Sequence, residues 1–223
     1  MGKGYYPFLD PFMTTTTITD LAAAVYAITN RPDLSALTTL AIKRATIKEH
    51  AAMDYPRDLV LTAPIALDNS NGLNRYSLNE VTLGIYGMVR KIKFIKELNN
   101  TQYSSAYYSQ GYWGELDFKE RAINNLFDEY NMEYTSYYFR QGTSINIVAV
   151  RAVNYIGIQY YQQPNVGDLT YASWIADMYP YVIYEAAAAN VFQAIGKNDE
   201  AGVYRGKLMD NRLDLIKAEI GDI

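Results

Sequence analysis

The apolar residues of this chain keep a helical period near both ends and a strand-like grammar in the middle, and that change of period limits the folds open to it. Starting from a cap at Thr19 or Asp20, Leu21, Ala24, Val25 and Ile28 fall on one face of a helix reaching about Asn30. Asn30-Arg31-Pro32-Asp33 breaks it. A second helix runs from Ser35 or Thr38 to Met53, with Leu37, Ala41, Ala45, Lys48 and Ala52 along one stripe and Ile42, Thr46 and Glu49 beside it. It stops ahead of Tyr55-Pro56, because proline disfavours a helical residue before it. Helical spacing returns after Gln162-Gln163-Pro164. Trp174-Ile175-Ala176-Asp177-Met178-Tyr179-Pro180 leads into a helix over 181–195 that Gly196 closes in the left-handed position. A last helix, capped by Asn198 or Asp199, reaches Ile220 with Val203, Met209, Leu213 and Ile216 on one stripe and Tyr204, Leu208 and Leu215 on the next.

Between these helices the pattern is that of strands. Segments 59–62, 65–67, 83–86, 89–95, 134–139, 145–150 and 155–161 are short and β-prone, Asp68-Asn69-Ser70-Asn71-Gly72 is a dense turn, and Gln141-Gly142-Thr143 marks a hairpin. Phe118, Ala122, Leu126 and Tyr130 recur every four residues, which predicts a short helix over 117–130 capped by Asp117. Residues 99–114, with Tyr103, Tyr107, Tyr108, Tyr112 and Trp113 among Ser, Asn, Gln and Gly, read as a long exposed loop. The expected fold class is α+β: an antiparallel bundle of the N- and C-terminal helices with an inserted, sandwich-like β-rich domain. Its parts are an extended arm over 1–17, helices over 18–57, the β-rich insertion over 58–165, and helices with a C-terminal tail over 166–223.

Composition removes several chemistries. The chain has no cysteine, which excludes disulfides, thiolate metal sites and cysteine nucleophiles, and it has one histidine, His50, too few for a multi-histidine metal site. A net charge of −4 argues against the broad basic surface that duplex binding needs. No apolar run approaches the length of a membrane span, and the start Met1-Gly2-Lys3-Gly4 lacks the apolar middle of a signal peptide, so a soluble protein is expected. Tyr6 stands where a myristoylation signal wants Ser or Thr. Neither phosphate-binding glycine motif occurs. Asp117 with Glu120, or Asp128 with Glu129 and Glu133, are carboxylate pairs that a glycosidase would need across a cleft, and a solvated face is the plainer explanation. The expectation is no catalytic residue, no cofactor and no metal.

The unusual count is 22 tyrosines, side chains that combine apolar area with a polar tip and suit subunit interfaces, carbohydrate platforms and half-buried sheets alike. Two segments resemble the head-to-tail adaptor proteins of tailed phages, the tail tubular protein A-like and head-completion adaptors. One is Ile28-Thr29-Asn30-Arg31-Pro32-Asp33-Leu34 with the following helix through His50 to Tyr55-Pro56-Arg57-Asp58-Leu59. The other is Tyr160-Tyr161-Gln162-Gln163-Pro164, Ser173-Trp174-Ile175, Tyr179-Pro180, Ala186 to Ala189, Val191-Phe192, Ile195-Gly196 and Glu200-Ala201. The resemblance implies a structural virion protein without catalytic residues. It would form a ring, usually dodecameric, between the portal protein and a downstream tail or nozzle protein, with DNA as passing cargo. Its place would be the neck of the virion, and the host cytoplasm during assembly. Under that reading the contact residues are Tyr5, Tyr6, Phe8 and Phe12 of the arm, Tyr107, Tyr108, Tyr112 and Trp113 of the loop, and Arg205, Arg212, Ile220 and Ile223 of the last helix and tail. Trp174 and Phe192 are expected in the core. The competing reading is a glycan-binding or tail-fibre module that stacks sugars on the 103–113 cluster.

Overall fold

The structure, a computed structural model, describes residues 15–70, 72, 74–98, 113–121 and 135–221, with the side chains of 113–115 outside the description. The chain divides into two compact units, 1–57 with 164–223 and 58–163. Among the described residues, the first holds every helix longer than one turn and the second every strand.

The helical unit contains α1 (Ile18–Thr29), α2 (Ser35–Ala52), α3 (Trp174–Met178), α4 (Pro180–Ala194) and α5 (Asn198–Ile220). Helix α1 begins earlier than its apolar spacing suggests, because Thr17 and Asp20 form a reciprocal capping box: the Thr17 hydroxyl accepts from the Asp20 N–H, and the Asp20 carboxylate accepts from the Thr17 N–H at 2.8 Å. Asn30, at φ +53°, closes it in the left-handed conformation that asparagine tolerates. Pro180 opens α4 at the position where its missing N–H costs nothing. The helix ends in a Schellman turn, with Lys197 N–H on the Phe192 carbonyl at 2.9 Å, Gly196 N–H on Gln193 at 3.1 Å, and Gly196 at φ +80°.

Helix α4 touches each of the other four helices. Four consecutive residues, Ala186 to Ala189, are buried together with Val182, Ile183, Val191 and Phe192, so this helix is enclosed on nearly all sides. The alanine run allows that, since methyl side chains let neighbouring backbones approach. Helix α2 buries Thr38, Ala41, Ile42, Ala45, Thr46, Glu49 and His50, a stripe of the right period but half polar, and leaves Lys48 and Ala52 exposed. Trp174 is partly buried beside Tyr55, ring centroids 5.3 Å apart and edge-on, and Phe192 lies in the core.

The second unit is one eight-stranded sheet: β1 (Leu59–Leu61), β2 (Ile65–Ala66), β3 (Arg75–Asn79), β4 (Val89–Leu98), β5 (Trp113–Glu120), β6 (Tyr137–Gln141), β7 (Ser144–Val148) and β8 (Tyr155–Gln162). The order is β1-β8-β4-β5-β6-β7-β3, with β2 also on β8. All pairs are antiparallel except β5 with β6, where Lys119 and Glu120 stand opposite Tyr137 and Tyr138. Its interior is Ile92, Ile95, Phe118, Tyr138, Ile145, Ile147, Ile156, Ile158 and Tyr160.

The expected helical bundle with a sandwich-like insertion is corrected by these observations: the chain is mixed α and β, five helices and an eight-stranded sheet curled into a half-barrel. Two features of single strands explain the curl. Strand β4 carries extra residues opposite β8 between Val89 and Lys91 and between Ile92 and Phe94, and such bulges bend and twist a strand. The second puts Ile92 and Ile95 on the same inner face although they are three residues apart. Strand β5 pairs with β4 through Ile95 to Phe118 and Lys96 to Asp117, then with β6 through its last two residues, so the two halves of the sheet are continuous through it rather than stacked as layers.

Smaller expectations change too. The helix expected over 117–130 is a strand as far as Glu120, with Phe118 buried between exposed Asp117 and Lys119, and residues 122–134 lie outside the described residues. The strand expected over 83–86 is a pair of turns, since Gly84 at φ +70° and Gly87 at φ +73° leave the extended region. Strand β3 was not anticipated, although Tyr76 and Leu78 alternate there. The hairpin at Gly142 is a two-residue loop between paired Gln141 and Ser144, with glycine at φ +60° in its first position, as a type II′ turn demands.

Candidate functional site: an apolar helix face and a basic groove

Helix α5 has two apolar faces. One packs inward through Ala201, Leu208 and Leu215, with Tyr204 stacked on Phe192 at 5.6 Å between ring centroids. The other consists of Gly202, Gly206, Met209, Leu213, Ile216 and Ile220, which follow one another at intervals of four and three residues, the spacing of a coiled-coil seam. Met209 is 65% exposed, Leu213 53% and Ile220 42%, and a Cβ added at Gly202 or Gly206 would meet nothing within 4 Å. The sequence puts Met209, Leu213 and Ile216 on one stripe, there with Val203, and Leu208 and Leu215 on the next, with Tyr204. Only packing shows which is core.

Beside this face, α2, α4 and α5 enclose a groove of about 400 Å³. Ala186, Ala189 and Leu208 form its floor, Met209 joins it to the exposed stripe, and Arg44, Lys48 and Arg205 line it. Its inner wall is an ion pair. The Arg212 guanidinium donates twice to the fully buried Glu49 carboxylate, at 2.7 and 2.5 Å, and this hydrogen bonding holds the Arg212 pKa above its ordinary value. Among the described residues Arg44 and Lys48 make no ion pair, and Arg205 donates to the Gln193 amide. Four cations therefore stand against one carboxylate in a chain whose net charge is −4.

The remaining buried carboxylates are held by structural partners. Arg151 donates to both oxygens of Glu97, at 2.8 and 2.7 Å. Arg140 donates twice to one oxygen of Glu80, at 3.0 and 2.6 Å. Arg90 faces Asp58 at 3.6 Å, and Asn211 donates to Glu185 at 2.7 Å. Each of these acids is thus engaged by an arginine or asparagine side chain of its own unit. Asp117 and Glu120 are exposed on β5, and Asp128, Glu129 and Glu133 lie outside the described residues. His50 is buried with its ring edge-on to Trp174, centroids 5.7 Å apart. No group of three His, Asp or Glu side chains that could hold a metal ion occurs among the described residues. A second concavity, about 450 Å³ between the 62–66 and 82–85 segments, is lined by Thr, Ala, Pro, Ile and Leu and holds no ionisable side chain.

No family model matches this chain, and no curated protein matches it. Of the residues expected to make contacts, Tyr5, Tyr6, Phe8, Phe12, Tyr107, Tyr108, Tyr112 and Ile223 lie outside the described residues. Trp113 opens β5 without a described side chain. Ile220 is on the exposed stripe, Arg205 lines the groove and Arg212 is its inner wall. Sequence reasoning missed Lys48 and Arg44 as groove residues and set Lys48 on one stripe with Leu37, Ala41, Ala45 and Ala52, of which Ala41 and Ala45 are buried and Lys48 is exposed. It also missed Glu49 as the acceptor of Arg212, because a pair 163 residues apart leaves no local signal.

Proposed function

We propose that this chain is a structural, non-catalytic subunit that assembles through lateral contacts into a ring, and that the ring is a head-to-tail adaptor of a tailed bacteriophage, seated between portal and tail with DNA passing through it. The observation that carries the assembly is the second face of α5: an apolar seam of coiled-coil spacing on a helix whose other face is already spent on the core. An exposed apolar stripe of this spacing is a surface that protein contacts commonly use, which supports the reading. The buried carboxylates, each engaged by arginine or asparagine, favour a structural role over catalysis. The adaptor assignment rests on the resemblance of the 28–59 and 160–201 segments.

A ring needs two different patches on each copy, because a heterologous contact closes only when a rotation repeats it. The decisive measurement is mass photometry of the purified chain with and without a candidate portal ring. The expected result is a closed ring, or a monomer that joins the preformed portal ring, and Leu213→Glu with Ile220→Glu abolishes either while the circular dichroism spectrum stays unchanged. Saturable binding or turnover of a glycan by a permanently monomeric chain overturns the reading.

A further inference from the structure

The groove between α2, α4 and α5 differs in chemistry from the apolar seam next to it, and its partner must differ too. It carries three positive charges beyond the Glu49–Arg212 pair, an alanine and leucine floor, and room for one or two large side chains. A ligand that fits supplies carboxylates to Arg44, Lys48 and Arg205 and an apolar or aromatic side chain to the floor. An inorganic anion would leave that floor uncovered, and a nucleic acid backbone would want a longer basic track than one groove on an acidic chain provides.

The chain itself contains a segment of this chemistry. Residues 122–134 include Asp128, Glu129 and Glu133 with no lysine or arginine, interspersed with Leu126, Phe127 and Tyr130. The residues on either side of it are held together at the sheet: the Arg121 guanidinium donates to the Thr135 hydroxyl at 3.0 Å, and the Arg121 N–H to the Tyr138 carbonyl at 2.9 Å. In sequence, residues 122–134 connect two parallel neighbours, β5 and β6. We propose that the basic groove of one copy docks the acidic 122–134 segment of the neighbouring copy. This rests on the ring reading and deepens it: groove and segment are two unlike patches on one chain, the heterologous pair that a ring needs.

Charge reversal tests the pairing in the full chain. Arg44→Glu with Lys48→Glu changes two exposed side chains, and Asp128→Lys with Glu129→Lys and Glu133→Lys changes the segment. Each set is expected to weaken self-association roughly tenfold or more in sedimentation velocity, and the combined variant to recover most of it, with association falling as salt rises. Lys119→Glu, a charge reversal on β5, leaves it unchanged. If the wild-type chain assembles and neither reversal weakens it, or the combined variant fails to recover, the groove pairing is overturned while the ring reading stands. If the wild-type chain stays monomeric, a fluorescent peptide of residues 122–134 is titrated with it. Saturable binding lost in the Arg44→Glu, Lys48→Glu variant supports the pairing, and absence of binding overturns it. The Leu213→Glu, Ile220→Glu variant judges the ring separately, because neither residue lines the groove.

Discussion

Removing the Glu49 carboxylate strands a guanidinium. Arg212 is only about a quarter exposed and Glu49 is not exposed at all, so the pair sits where each ion depends on the other. Glu49→Ala is expected to lower stability by roughly 3 kcal/mol in urea unfolding, whereas Glu49→Met with Arg212→Leu regains most of it, since no unpaired charge remains. A mere surface pair would cost under about 1 kcal/mol and show no such recovery. Tyr138 gives a second residue-scale test. Burial, and then the neighbouring Glu120, push its phenol well above the ordinary value of 10.0. A raised acid pKa means that the folded state keeps a proton which the unfolded chain releases, so the contribution is whole below pH 10 and is lost as pH rises beyond it. Alkaline titration followed by tyrosinate absorbance and circular dichroism should show the sheet unit losing stability from that pH upward, and Tyr138→Phe should flatten the decline.

At the scale of elements, the capping box on α1 and the hairpin at Gly142 are the local devices whose removal is easiest to read. Thr17→Ala deletes the hydroxyl that accepts from the Asp20 N–H and is expected to cost about 1 kcal/mol, visible as faster amide exchange in the first turn of α1. Acid acts on the same cap: hydrogen bonds from Thr17 lower the Asp20 pKa, so its contribution is present above the ordinary value of 3.8 and disappears as pH falls below it. Gly142→Val puts a β-branched side chain at φ +60° and is expected to destabilise the β6–β7 hairpin by roughly 2 kcal/mol, while Thr143→Val, at the next position of the loop, costs little. In α4 the methyl groups are the constraint. Ala188→Leu inserts bulk into an enclosed helix and is expected to cost about 1–3 kcal/mol, measured by thermal unfolding.

For the whole molecule, the claim at stake is that α5 serves two masters, one face inside its own unit and one toward another chain. Leu213→Glu with Ile220→Glu should leave the monomer's thermal stability within about 0.5 kcal/mol of wild type, because both side chains face solvent, and should abolish assembly. A large loss of stability would instead place that face in the core and remove the main support for a ring.

Much of the secondary structure was written in local spacing. Proline and glycine punctuation brought the reading of α2, α4 and α5 close to their observed bounds, and Gln141-Gly142-Thr143 marked its hairpin, because capping and turn chemistry act over a few residues. The same local signals misled at Phe118, where a four-residue recurrence crossed a strand, and at Gly84 and Gly87, where positive φ values broke an apolar run. The single curled sheet could not be read along the chain. It depends on bulges in β4 that exist only opposite β8, and on β5 changing partners midway, both of which are relations between segments far apart in sequence. The choice between the two stripes of α5, and the meeting of Glu49 with Arg212 behind Arg44 and Lys48, were likewise settled in three dimensions. Periodicity tells which side chains share a face, but burial depends on what packs against that face, and packing is a property of the assembled unit.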